Sequence, residues 1–118
     1  MSVEPIQRLI SATRYSLRGL AEAWRTQAAV RYEVYALPVV FSAAWFLGNG
    51  GVERALLAGS WLLVIVVELV NSAIESTVDR IGLERHALSA RAKDLGSAAV
   101  LSAIVAAAVV WLLILVRP

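Results

Sequence analysis

The sequence predicts an all-α membrane protein with a single domain over residues 1–118, and three observations support this fold class. Of its 118 residues, 59% are hydrophobic and 17% are charged, whereas soluble domains have about 45–50% apolar and about 25% charged residues. The mean hydropathy is +0.71. Apolar stretches of membrane-spanning length follow an amphipathic N-terminal segment, and the chain has room for about three spans of roughly 20 residues each. There is no cysteine, which excludes disulfides and thiolate metal sites.

The first predicted element is an amphipathic surface helix over residues 5–26. Its apolar side chains recur with a helical period, and arginines occupy much of the remaining surface. Pro5 suits a first helical turn, and Trp24 would lie at the depth of the lipid headgroups. A cationic anchor for anionic membrane lipids is the simplest function of this segment. It lacks a signal-peptide core, so no cleaved targeting segment is expected.

Three membrane helices are predicted next, over about residues 28–47, 52–81 and 95–116. Pro38 should bend the first helix or mark its first turn. A polar, basic connection over residues 83–93 separates the second helix from the third. Asp94 is the expected N-cap of the third helix, where Gly96, Ser97, Ala98 and Ala99 provide a small-residue face for close packing.

The basic residues are distributed asymmetrically along this topology. Nine of the 11 lysines and arginines lie in the N-terminal segment or between residues 80 and 93, and only Arg54 and Arg117 lie on the other side. The positive-inside rule therefore places the N-terminus and the second connection in the cytoplasm. This sidedness accounts for the pI of about 9.5 better than a nucleic-acid partner, and none is expected.

The second membrane helix carries an unusual polar face, which we call the acidic stripe: Glu68, Asn71, Glu75 and Asp79. At roughly 100° per residue, these four positions fall within about 80° of one another. An acid inside a membrane span costs on the order of 2.5–3.5 kcal/mol. Three acids and an amide on one face therefore indicate a site.

Depth separates the members of the stripe. Glu75 and Asp79 lie near the cytoplasmic end of the helix, and Glu68 lies about 10–16 Å deeper. Shallow carboxylates suit Mg²⁺, which usually reaches a protein together with nucleotide phosphates, and Lys93 supplies a compact charge for phosphate. A deep carboxylate at Glu68 suits a general base. Phosphoryl transfer from a nucleotide to a lipid hydroxyl fits this arrangement.

Two other interpretations remain open from spacing alone. The stripe could be a proton or cation path in a small oligomeric pore. It could also be structural, with Glu75 and Asp79 paired to Arg80, Arg85 or Lys93 and with Asn71 hydrogen-bonding between helices. His86, the only histidine, is then a solvated loop residue. No Walker or protein-kinase motif names the reaction.

Longer motifs resemble a known family. The segments ELVNSAIE (68–75), VDRIG (78–82) and HALSARAKDLGSAAV (86–100) are similar to the prokaryotic diacylglycerol kinases, which also include undecaprenol kinases. The likeness continues upstream through Arg8, Tyr15, Ser16 and Trp24 and is nearest to the diacylglycerol kinase branch. It implies an ATP-dependent kinase that makes phosphatidic acid from diacylglycerol. It also implies a homotrimer in the bacterial inner membrane, with active sites between subunits.

The resemblance also implies roles for individual residues. Glu68 would accept the proton of the lipid hydroxyl, and Glu75 would bind the Mg²⁺ that accompanies ATP. The implied nucleotide-binding residues are Arg8, Tyr15, Asn71, Glu75, Asp79, Glu84, Arg85, His86, Lys93 and Asp94. The implied lipid-binding residues are Arg8, Ser16, Trp24, Arg31, Glu68 and Ser97.

One position departs from the family pattern. The family typically has a glutamate, acting as a second metal ligand, where this chain has Gln27. Glutamine keeps a carbonyl oxygen but lacks the negative charge. The resemblance therefore implies weaker metal binding at Gln27 than in the family.

Overall fold

The computed structural model describes residues 3–118 and contains five α-helices and no strand in that range. The helices are α1 (Glu4–Thr26), α2 (Ala28–Tyr35), α3 (Leu37–Leu47), α4 (Gly51–Ile81) and α5 (Ala87–Leu115). The all-α prediction is therefore confirmed for the described residues. The first two residues of the predicted domain lie outside them.

Helix α1 buries very little of its surface against the rest of the chain. Ala23 is its buried residue, whereas the large apolar side chains Ile6, Leu9, Ile10, Leu17 and Leu20 are all exposed. An apolar stripe that no protein covers suits a helix lying in a membrane interface.

The junction between α1 and α2 is a sharp turn at Gln27, which has an extended backbone. Arg31 fixes this turn because its Nη1 donates to the carbonyl oxygens of Trp24 (2.7 Å) and Arg25 (3.2 Å). Carbonyls in the last turn of a helix lack intrahelical partners. The Arg31 guanidinium therefore caps α1.

The predicted helix over residues 28–47 is interrupted at Ala36. Pro38 lies in the first turn of α3, where its missing N–H costs no helical hydrogen bond. Neither α2 (8 residues) nor α3 (11 residues) is long enough to cross a bilayer alone. Helices α4 and α5, with 31 and 29 residues, are each long and apolar enough to do so.

Helices α4 and α5 pack together along a seam with a seven-residue spacing. The buried side chains of α4 are Leu57, Val64 and Val78, and Asn71 lies between Val64 and Val78 in the same series. The buried residues of α5 are Gly96, Ala103, Ala107 and Ile114. Small residues on one side of the seam allow the two backbones to approach closely.

Two predictions about α5 are wrong. The helix begins at Ala87, and its N-cap is His86, whose Nδ1 accepts a hydrogen bond from the Leu88 N–H (3.1 Å). Asp94 lies inside the helix because α5 continues beyond its apolar part into the polar, basic segment. Of the four small residues predicted to form a packing face, only Gly96 is buried. Ala103 and Ala107 form the rest of that face.

The other end of the helical bundle is held together by charged side chains. Arg117 forms an ion pair with Glu53 (2.8 Å) and donates to the Leu47 carbonyl (3.0 Å). Glu53 also accepts from the backbone N–H of Asn49 (2.8 Å). We call these four residues the distal clip, since they connect the ends of α3, α4 and α5 away from the acidic stripe.

Candidate active site

The polar groups of the acidic stripe lie along α4, and hydrogen bonds join some of them in pairs. Asn71 donates from Nδ2 to the Glu75 carboxylate (3.3 Å), and the Ser72 hydroxyl donates to the Glu68 backbone carbonyl (3.0 Å). Glu68, Asn71 and Glu75 are half-buried, whereas Asp79 is exposed. The stripe therefore passes from a sheltered end at Glu68 to a wet end at Asp79.

Asn71 is the member of the stripe that packs against the α5 backbone at Gly96. Its Oδ1 is buried without a hydrogen-bond partner among the described residues and lies directly against Gly96, in space that a Cβ would need. A side chain at residue 96 would overlap this oxygen, so the contact depends on Gly96 having none. The unpaired buried oxygen itself costs stability.

Lys93 joins the wet end of the stripe to α5. Its Nζ lies 2.7 Å from the Asp79 carboxylate, and both side chains are 46% exposed. The structural interpretation of the stripe is thus correct for this pair. Water screens an ion pair this exposed and leaves it weak, so Lys93 can exchange Asp79 for a phosphate at little cost.

A cleft of about 510 Å³ lies next to this ion pair. We call it the α4–α5 cleft, because the end of α4, the connection and the first turns of α5 form its walls. It brings together five of the residues that the sequence assigned to nucleotide binding: Asp79, Glu84, Arg85, His86 and Lys93.

A second pocket, of about 490 Å³, lies between α1 and α4. This α1–α4 pocket contains Ser16 and Gln27 from the α1 side and Ser72 and Ser76 from α4. Several of the residues that line this pocket are serine or threonine, which carry hydroxyl groups. One predicted lipid-binding residue and the predicted second metal ligand therefore share a pocket.

Several other candidate residues lie away from the α4–α5 cleft within one chain. On α1, Arg8 pairs with Glu4 (3.4 Å), and the Arg18 guanidinium lies over the Tyr15 ring (5.6 Å). Trp24 packs edge-on against Tyr35 at 5.2 Å. Asp94 and Ser97 are exposed on α5.

The carboxylates do not form a complete metal site within one chain. Residues 3–118 contain no group of three or more His, Cys, Asp or Glu side chains placed to hold a metal. Gln27 lines the α1–α4 pocket, whereas Glu75 bonds to Asn71 on the side of α4 that faces α5. This still fits Mg²⁺, which proteins commonly bind through one or two carboxylates plus substrate phosphates.

Comparison with known proteins identifies the family. A family model described as prokaryotic diacylglycerol kinase matches residues 14–115. The chain belongs to the prokaryotic diacylglycerol kinase family. The diacylglycerol kinase of Escherichia coli strain K12 is 49% identical over 108 residues, which cover 92% of this chain and 88% of that protein.

Other diacylglycerol kinases are similarly close. That of Pseudomonas aeruginosa is 47% identical over 110 residues, covering 93% of this chain and 89% of its own. That of Haemophilus influenzae is 45% identical over 106 residues, covering 90% of each chain. Family membership makes this protein a kinase, so the interpretation of the stripe as a non-enzymatic pore is set aside.

The structure of this family member also draws attention to a residue that the sequence did not single out. The Oε2 atom of Glu33 is buried without a hydrogen-bond partner among the described residues. The Trp61 indole donates to the Glu33 carbonyl oxygen (2.9 Å), which places Glu33 against the face of α4 that leads to Glu68. An acid directly before a long apolar run was the available sequence signal.

Proposed function

We propose that this chain transfers the γ-phosphate of ATP to diacylglycerol and forms phosphatidic acid at the cytoplasmic face of the bacterial inner membrane. Membership of the prokaryotic diacylglycerol kinase family supports this proposal. The structural observation that carries it is the α4–α5 cleft at the wet end of the acidic stripe. This cleft is lined by the basic side chains of Arg85 and Lys93 and opens to solvent. Glu68 lies deeper on α4, where a lipid headgroup would reach.

In the proposed reaction, the lipid hydroxyl oxygen attacks the γ-phosphorus and its proton passes to the Glu68 carboxylate. The bond between the γ-phosphorus and the β–γ bridging oxygen breaks, and ADP leaves with the electron pair. Lys93 and Arg85 stabilise negative charge on the phosphates, and Asp79 releases Lys93 for this purpose. Positioning and electrostatic stabilisation account for most of the catalysis of phosphoryl transfer.

Mg²⁺ is the proposed metal, and when bound it neutralises charge on the ATP phosphates. Glu75 would hold it, with Asn71 orienting the Glu75 carboxylate through the hydrogen bond between them. Gln27 would be the weaker second ligand, because it offers only a neutral carbonyl oxygen.

The proposed assembly is a homotrimer in which each subunit has the surface helix α1 and three spans. The first span would run through α2 and α3, and the nine-to-two division of basic residues favours a cytoplasmic N-terminus. Arg8, Tyr15 and Gln27 lie apart from the α4–α5 cleft within one chain. A neighbouring subunit could supply these residues to complete each site.

The test offers radiolabelled ATP to the purified protein in detergent micelles, with diacylglycerol or undecaprenol as the acceptor. We expect labelled phosphatidic acid, formed only with Mg²⁺ present. Labelling of undecaprenol but not of diacylglycerol would assign the chain to the other branch of the family. The absence of a labelled lipid in both arms would contradict the proposal.

A further inference from the structure

Glu33 lies beside the most sheltered part of the acidic stripe. The Trp61 indole holds the Glu33 carbonyl, and Glu68 follows Trp61 by seven positions, or two helical turns, on nearly the same face of α4. The chain turns back between Leu47 and Glu53, so α2 and α4 run in opposite directions.

The side-chain directions bring the two carboxyl groups toward each other. Helical Cα–Cβ bonds lean toward the helix N-terminus. Glu33 therefore leans from the level of Trp61 toward Glu68, and Glu68 leans back toward Trp61.

No cation compensates this pair within the described residues. Arg31, the nearest basic residue in the chain, directs its guanidinium to the carbonyls of Trp24 and Arg25. The buried Oε2 of Glu33 has no hydrogen-bond partner. Two neighbouring carboxylates in a sheltered place do not both ionise, and such pairs instead hold one proton between them.

We infer that Glu33 is a positioning residue for Glu68: the pair shares one proton, and the Glu33 carboxyl O–H donates to one oxygen of the Glu68 carboxylate. This inference rests on the proposed function. The hydrogen bond satisfies the buried oxygen of Glu33 and fixes the Glu68 carboxylate. The other Glu68 oxygen is then free to accept the proton of the lipid hydroxyl.

The proton of Glu33 is not consumed in this scheme. During turnover the lipid proton goes to Glu68 and leaves it when the product departs, while Glu33 remains a neutral donor. A neutral amide can serve the same purpose. Glutamine at this position should therefore replace glutamate, whereas a side chain without a donor should not.

The experiment compares Glu33→Gln, Glu33→Ala and Glu33→Met in micelles with ATP and diacylglycerol. We expect Glu33→Gln to keep kcat within about threefold of the starting protein. Glu33→Ala and Glu33→Met should lower kcat by about tenfold or more, with an unchanged KM for ATP, because positioned proton transfer contributes about 10²–10⁴-fold to rate. The acid limb of the kcat–pH profile should move in Glu33→Ala but not in Glu33→Gln.

Glu53→Gln is the matched control, since it removes a carboxylate from the opposite end of the molecule and should keep a normal pH profile. Thermal unfolding of each variant separates a folding defect from a rate defect. Equal losses in Glu33→Gln and Glu33→Ala would overturn the inference, as would full activity in Glu33→Met. Lack of lipid phosphorylation by the unchanged protein would instead contradict the proposed function.

Discussion

Glu68 is the residue on which the proposed chemistry depends. It is half-buried on α4, its backbone carbonyl accepts from Ser72, and the wet end of the stripe begins about 10 Å away along the helix. A carboxylate so far from the cleft can reach an acceptor in the membrane interface but not a soluble substrate. Its role can therefore be tested without disturbing nucleotide binding.

We predict that Glu68→Gln abolishes turnover while leaving ATP binding and assembly unchanged. Glutamine preserves the shape of the side chain but cannot take up the lipid proton, and loss of a general base costs about 10²–10⁴-fold. Lipid phosphorylation and size-exclusion elution are the measurements, and Glu53→Gln on the same helix is the control. Near-normal turnover in Glu68→Gln would refute the assignment of the base.

Gln27 gives a second prediction at the same scale. Restoring a carboxylate by Gln27→Glu should lower the Mg²⁺ concentration for half-maximal activity by about tenfold, because an anionic ligand binds a hard cation more strongly than an amide. Gln7→Glu, on the exposed part of α1, makes the same change away from the pockets and should have no such effect. An unchanged or higher requirement in Gln27→Glu would show that residue 27 does not contact the metal.

The α4–α5 seam is the element that positions the acidic stripe. Leu57, Val64 and Val78 repeat at multiples of seven residues, the spacing that keeps two helices in continuous contact. Asn71 interrupts this apolar series. A polar residue at one position of such a seam restricts the register of the two helices at some cost in stability, and Gly96 is the residue that leaves room for Asn71.

We predict that Gly96→Ala lowers both stability and activity. The added Cβ would overlap Asn71, and overpacking of this kind costs about 1–3 kcal/mol. Because Asn71 also bonds to Glu75, kcat should fall more than the loss of folded protein explains. Thermal unfolding and lipid kinase assays in micelles measure the two effects.

Gly59→Ala on α4 is the comparison, because nothing lies within 4 Å of the added Cβ in this chain. It should stabilise the helix by about 0.5–1 kcal/mol. If Gly96→Ala also raised the stability, the close contact between Asn71 and Gly96 would not constrain how α4 and α5 pack.

The whole molecule is flat, with principal extents of 52 × 50 × 24 Å, and its two ends have different roles. The open end carries the α4–α5 cleft, and its ion pair is half-exposed. The distal clip closes the other end with a less exposed ion pair, in which Arg117 and Glu53 are 33% and 25% exposed. The more sheltered ion pair and the proposed chemistry thus lie at opposite ends of the same helices.

Arg117→Ala should therefore reduce stability without reducing the turnover of the folded protein. The variant loses the Glu53 ion pair and the hydrogen bond to Leu47, which together contribute about 1 kcal/mol at this exposure. Arg91→Ala, an exposed arginine on α5, should leave the unfolding temperature unchanged. A large drop in kcat for folded Arg117→Ala would mean that the distal clip also determines the geometry of the site.

Much of the helical structure follows from local sequence. Apolar periodicity predicts α1 over residues 5–26, and the structure places it at Glu4–Thr26. The prediction for the second membrane helix, 52–81, differs by one residue from α4. Periodicity failed at the start of α5, where residues 87–94 are helical but mix alanines and Leu88 with polar and charged side chains. Leu88 is exposed, so this part of the helix has no continuous apolar face that periodicity could detect.

The sequence by itself determined α1 and α4, the face that collects Glu68, Glu75 and Asp79, and the family, because helical period and motif order are properties of neighbouring residues. Only the tertiary structure decided which partners those residues take. Lys93 reaches Asp79, Asn71 fills the space at Gly96, and the Trp61 indole donates to the Glu33 carbonyl oxygen. Each of these contacts joins separate helices, and its geometry depends on where the turns end and how closely the backbones pack.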